Sequence, residues 1–294
     1  MESQPRFPRK WPALGIVLIS ILLPFFFAAF FISTEEDILS GKLRTAIIIG
    51  ELFVILPSLL YILRKDLSMQ SVYRLRSIRE NTWLWCVVIG VSVSVLGDEL
   101  DRLISLVFDP PEWLTQSMEF FRIDSGLDFI VLIGGVVVVA PITEELLFRG
   151  FLQTTLEHRE RNVTRAILLT ALAFAILHMN TWWVIQIYLF GLVLSYFSWR
   201  TQSVAPGMLA HMSINATSVF LGNLHLRDQL EWYELGGHVS PIWIAVSILG
   251  IYYGFRQLNA AYPLSSRVSD TIPPQEHTDS GLEEYDSSDM INRQ

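Results

Sequence analysis

Apolar runs of about twenty residues, broken by short polar stretches that hold most of the charge, make up almost the whole of this 294-residue chain. A bilayer's hydrocarbon core takes about 20 helical residues to cross. On that length rule the pattern predicts spans at 11–33, 45–63, 83–107, 127–148, 164–178, 181–199, 203–221 and 239–258. The first run follows Arg6, Arg9 and Lys10, as the apolar core of a signal peptide would, but it is longer than such a core and reads as an uncleaved first helix. The expected fold is therefore all-α: a polytopic membrane protein of about eight transmembrane helices.

Composition agrees with that pattern. Hydrophobic residues make up 51% of the chain and charged residues only 17%, with a mean hydropathy of +0.41, values outside the range of ordinary soluble domains. The net charge of −8 does not point to a basic partner, because residues 259–294 hold seven acids against Arg267 and Arg293 and so account for −5 of it. That segment is rich in Ser, Thr and Pro and is expected to be a disordered acidic tail. Three parts result: N-terminal helices over 1–126, a core over 127–258 and the tail over 259–294. The one cysteine, Cys86, lies in an apolar run and reads as a packing residue.

Loop charges set the expected orientation. Arg64, Lys65, Arg74, Arg76 and Arg79 fall in the second connection and Arg159, Arg161 and Arg165 in the fourth, whereas the third, fifth and seventh are poor in basic residues. The positive-inside rule then places both termini in the cytoplasm.

Polar residues inside the spans are the candidates for chemistry, since an ionisable group at the bilayer centre costs roughly 2.5–3.5 kcal/mol on insertion scales. Glu51 and the group Asp98, Glu99, Asp101 and Arg102 have an inexpensive explanation in snorkelling or salt bridges, and Asp98 and Arg102 are spaced to pair on one helix face. The stretch Pro141–Gly150 is different: Glu144, Glu145 and Arg149 close an uncharged run from Phe129 to Ala140. Beyond it, polar residues recur four apart, as Phe174 and His178 and again as His211 and Asn215, and residues four apart share a helix face. The same spacing predicts an ion pair between Glu145 and Arg149. Glu144 is turned about 100° from that pair and is the better candidate for a general base. If Arg159–Asn162 is a helical hairpin turn, Glu144 lies 15 residues before it and His178 16 residues after it, so their depths differ by only about 1.5 Å. The count does not place His211, which needs a bent or tilted span near Pro206 and Gly207.

Glu144-Glu145-x-x-x-Arg149, Phe174-x-x-x-His178 and His211-x-x-x-Asn215 resemble the three ordered motifs of the CAAX-protease and bacteriocin-processing family, which includes the Ras-converting CAAX prenyl endopeptidases. The likeness covers about 127–221. It implies an intramembrane endopeptidase, a peptide hydrolase with its site inside the helix bundle, acting on a membrane-associated protein or peptide, prenylated CAAX-type substrates included. Carried over residue by residue, it implies that Glu144 and His178 activate a water, that His211 and Asn215 stabilise the oxyanion, and that Glu145, Arg149 and Phe174 support the site. No cofactor is favoured. A zinc-dependent version would use Glu144, His178 and His211, but no His-Glu-x-x-His is present. Expected partners are membrane lipids and the substrate, with no nucleic acid. The expected location is a cell membrane in a prokaryote or the endoplasmic reticulum in a eukaryote. A non-enzymatic immunity or scaffold protein and a transporter are the competing classes.

Overall fold

The computed structural model describes residues 6–31, 42–114, 118, 121–160 and 162–264. The acidic tail, apart from its first residues to Leu264, lies outside the described residues. Helices follow one another along the chain: α1 (Lys10–Phe31), α2 (Lys42–Val54), α3 (Leu56–Arg64), α4 (Met69–Val72), α5 (Thr82–Ser105), α6 (Gly126–Glu160), α7 (Val163–Leu177), α8 (Val184–Thr201), α9 (Ala205–His225) and α10 (Pro241–Ala261). Thr82–Ser105 and Gly126–Glu160 are long and apolar enough to cross a membrane. Leu18, Ile19 and Phe26 of α1, Ile176 of α7 and Ile248 of α10 are exposed, an outward apolar surface that water does not favour and lipid does.

Two predicted spans take a different form. The run at 45–63 is two helices that meet at Ile55, with Pro57 in the first turn of the second; proline has no N–H to donate and clashes with the carbonyl one turn back. The run at 127–148 continues to Glu160, because Arg149, where it was expected to stop, is neutralised within the helix. Inside α6 the segments Ile133–Val139 and Leu146–Gln153 are π-helical and bracket a regular turn and a half, Ala140–Glu145. Such π segments shift side chains off the regular helical register and are frequent at functional sites. On either side of the expected turn at 159–162, of which residue 161 lies outside the described residues, α6 ends at Glu160 and Asn162 caps α7 by accepting from the N–H of Arg165 at 2.9 Å.

Packing centres on the second half of α6. Leu147, Phe148, Phe151, Leu152 and Leu156 are buried against Val17 of α1, Ile62 of α3, Tyr73 and Phe174. The contact of α5 with α9 is close enough that a Cβ on Gly90 would stand 2.5 Å from the carbonyl oxygen of Ala210. Asp98 and Arg102 pair at 3.2 Å on α5 as their spacing predicts.

One end of the bundle gathers the N-terminal segment and the basic connections. Arg159 donates to the carbonyls of Pro8 at 2.9 Å and Phe7 at 2.8 Å, Lys10 pairs with Glu160, and buried Arg74 donates to Glu157 at 2.5 Å. Beside it the hydroxyl of Tyr73 contacts Ser58 at 2.8 Å, and burial pushes that phenol up to about 12. Past α9 the chain adds a feature no helical pattern announces, a two-stranded antiparallel hairpin of Glu234–Leu235 and His238–Val239. Its two-residue turn is Gly236-Gly237, both at positive φ, as a tight hairpin turn requires. Arg102 donates to Glu234 at 2.6 Å and Glu99 accepts from the N–H of Val239 at 2.8 Å, which fastens this hairpin to α5.

Candidate active site

The short regular segment between the two π segments of α6 carries both glutamates, and they face different partners. Glu145 is fully buried and pairs with Arg149, also fully buried, at 2.7 Å, four residues on. The other arm of the Arg149 guanidinium donates to the carbonyl of Gly191 on α8 at 3.2 Å, and its Cζ lies 4.2 Å from the centre of the Phe174 ring. A charge taken out of water needs this many partners to be retained. Phe174 is thus the floor of the site. Its ring also meets those of Phe148 at 5.1 Å, His178 at 4.4 Å and His211 at 5.7 Å.

Both histidines are oriented through Nδ1. In His178, the last residue of the helical turn that ends α7, Nδ1 lies 2.6 Å from the carbonyl oxygen of Phe174. A carbonyl only accepts, so Nδ1 is the donor. In His211, on the second turn of α9, Nδ1 lies 3.1 Å from Oε1 of Glu145, the same oxygen that Arg149 holds. Each ring therefore turns Nε2 toward Glu144. The distances to its Oε2 are 3.7 Å from His178 and 3.9 Å from His211. Both exceed a direct hydrogen bond, so the two rings face the carboxylate oxygen without being bonded to it. Oε2 of Glu144 is buried and has no hydrogen-bond partner among the described residues. His178 is the open side of the group, with 31% of its side chain exposed against 14% for Glu144 and 7% for His211.

Asn215 sits one turn beyond His211 on α9. Its Nδ2 donates to the carbonyl of Val136, in the first π segment, at 2.9 Å, which leaves a second N–H and Oδ1. The site residues expected from the sequence thus fall into a cluster of Glu144, His178 and His211, a support of Glu145, Arg149 and Phe174, and Asn215 at the edge beside Val136.

A zinc ion would fit this cluster poorly. Ligand atoms around a tetrahedral zinc at ~2.0–2.1 Å stand about 3.3 Å apart, closer than the 3.7 and 3.9 Å found here. Among the described residues no group of three or more His, Cys, Asp and Glu side chains is arranged to hold a metal.

Residues 126–217 match the family model described as Type II CAAX prenyl endopeptidase Rce1-like. This segment belongs to the CAAX-protease family. The matched residues run from the start of α6 into α9 and take in every side chain of the cluster, its support and Asn215. No curated protein and no solved structure matches the chain.

Two residues of the surrounding helices were not assigned to this site from the sequence. Gly207 lets α9 approach α6: a Cβ there would stand 2.5 Å from Oε2 of Glu145. The signal was a glycine four residues before a candidate histidine, hence on the same face. The other is Glu51 of α2, outside the matched segment, whose Oε2 is buried with no hydrogen-bond partner among the described residues, on a helix that packs against Ala140–Glu145. Its signal was an acid in the middle of an apolar run, read there as snorkelling.

Proposed function

We propose that this protein is an intramembrane endopeptidase that hydrolyses a peptide bond of a membrane-associated protein or peptide, prenylated CAAX-type substrates included, without a metal. The observation that carries the reading is the bare Oε2 of Glu144 faced by Nε2 of both His178 and His211. Glu144 takes a proton from a water held between it and His178, and the water oxygen attacks the carbonyl carbon. The oxyanion that forms is met by the free N–H of Asn215, a donor set in place before reaction and shielded from bulk water, and by Nε2–H of His211 in its imidazolium form, the Nδ1–H being committed to Glu145. Collapse breaks the C–N bond, and the proton held by Glu144 passes to the leaving amine nitrogen. Glu145, Arg149 and Phe174 hold His211 in register.

The protein that carries this site is read as an integral multi-pass membrane protein of about eight spans with cytoplasmic termini. The bonds of Arg159 to Phe7 and Pro8 support that orientation, since they bring the N-terminal segment and a basic connection to one end.

The test compares purified wild type with Glu144→Ala on a fluorogenic prenylated peptide and a panel of membrane proteins, with and without a chelator. Cleavage by wild type alone, indifferent to chelator, is expected. Equal cleavage by Glu144→Ala removes the general base from the scheme, and reversible loss with chelator restores zinc. A wild type that cuts nothing favours the scaffold class.

A further inference from the structure

His178 sits where α7 runs out. Its backbone N–H turns to the carbonyl of Ile176, while the carbonyl one turn back, that of Phe174, is taken by the ring Nδ1 at 2.6 Å. Met179 follows with φ at 50°, a left-handed conformation that a residue other than glycine keeps only where its surroundings hold it. Helix ends fray, and this end carries the ring that faces Glu144 at 3.7 Å. Phe174 packs on Phe148 of α6, so α7 is fixed up to that turn. The Nδ1 bond ties the ring to its own turn without tying the chain that leaves it to the rest of the bundle.

That chain is fastened to α5. Nε1 of Trp182 donates to Oδ1 of Asp101 at 2.5 Å, and a carboxylate is the stronger kind of acceptor. The bond from the N–H of Trp183 to Oδ1 of Asn180 at 3.0 Å stays within the connection. Gly97 lies one turn before Asp101 on the same face of α5. A Cβ there would stand 2.5 Å from Nε2 of Gln186 and 2.7 Å from Cζ of Phe190, so α5 comes up against the first two turns of α8 just beyond the bond. We propose that Asp101, outside the matched segment 126–217, is a positioning residue for His178: by holding Trp182 it keeps the chain reversal after α7 in place, and with it Nε2 of His178 against Glu144. It acts through the short connection from Trp182 back to His178. This deepens the hydrolase reading above and rests on it for the effect on turnover.

Kinetics and hydrogen exchange on the purified full chain test it. Asp101→Leu and Trp182→Phe each remove the bond and should lower kcat about ten- to a hundredfold at an unchanged KM, since a shift of about 1 Å at a reacting group costs about a hundredfold. Asp101→Asn keeps an acceptor in the same place and should turn over near the wild-type rate. The double variant Asp101→Leu/Trp182→Phe should be no slower than either single one, because two residues that act through one bond are not additive. Exchange reads the anchor without turnover: the N–H of Met179, bonded to the carbonyl of Ile176 at 3.0 Å, should exchange about fivefold faster or more in Trp182→Phe, through local opening of the turn. A wild-type kcat in Trp182→Phe, a loss confined to KM, an Asp101→Asn as slow as Asp101→Leu, or unchanged exchange at Met179 overturns the proposal. Should Asp101→Leu fail to fold, Trp182→Phe, which leaves every charge in place, decides. A wild type that cleaves no substrate sinks the hydrolase reading alone, since exchange at Met179 still shows whether Asp101 holds the turn.

Discussion

Nδ1 of His211 and Nη1 of Arg149 meet on a single oxygen, Oε1 of Glu145, at 3.1 and 2.7 Å. One buried carboxylate therefore neutralises the arginine within α6 and fixes the histidine ring of α9. Nε2 of that ring points to Glu144 because Nδ1 is committed to Glu145. The two adjacent glutamates are coupled through one imidazole.

Cutting this pair should be costly on one side only. Arg149→Met leaves Glu145 charged in the core with only Nδ1 of His211 for a partner and should destabilise the fold by about 3–5 kcal/mol, whereas the double variant Glu145→Leu/Arg149→Met should recover most of that loss. Peptidase activity should not return in the double variant, since nothing then holds Nδ1 of His211. Unfolding in mixed micelles, with turnover measured alongside, separates the two effects.

Gly207→Ala should act on the same carboxylate from α9. The added Cβ would stand 2.5 Å from Oε2 of Glu145 and 3.7 Å from the carbonyl oxygen of Leu194, so the carboxylate or the helix has to give way. A displacement of about 1 Å at a reacting centre costs about a hundredfold in rate, and kcat should fall on that scale. Gly222→Ala on the same helix meets nothing within 4 Å and should turn over as wild type.

What the sequence made legible follows from which geometry is local. The pairs Glu145–Arg149 and Asp98–Arg102 form because an α-helix alone puts residues four apart on one face. The depth count brought Glu144 to His178 because both are tied to one hairpin turn of known rise. His211 was not placed that way, since its depth depends on how α9 crosses α6, and Gly207 decides that crossing through a contact 62 residues away in the chain. The π segments escaped because apolar periodicity does not distinguish them from regular helix. Glu51 escaped because an acid in an apolar run looks the same whether it reaches for headgroups or is buried among the helices.

Asn215 should have a double role that one substitution exposes. Asn215→Ala removes the donor to Val136 and the spare N–H offered to the oxyanion. Loss of one such donor costs about 10²–10³ in kcat, and the unpaired Val136 carbonyl adds a stability loss of about 1–3 kcal/mol. Asn215→Asp should be at least as slow, because it places an acceptor where both interactions need a donor. A kcat within tenfold of wild type in Asn215→Ala takes the oxyanion role away from this residue.

At the hairpin, two bonds of Glu99 can be told apart by hydrogen exchange. Glu99 meets the buried N–H of Val239 at 2.8 Å and Nδ1 of His238, whose side chain is 41% exposed, at 2.9 Å. A buried donor left without a partner costs about 1–3 kcal/mol, while an exposed ion pair contributes roughly 0–1 kcal/mol. Glu99→Ala should therefore speed exchange at Val239 by about five- to a hundredfold, through local opening of the hairpin. His238→Ala removes only the exposed contact and should change it little. Arg102→Ala should loosen the same strand pair from its other side, because Arg102 donates to Glu234 and to the carbonyl of Gly237 at 3.2 Å. Equal protection at Val239 in wild type and Glu99→Ala would mean that strand pairing holds the hairpin without α5.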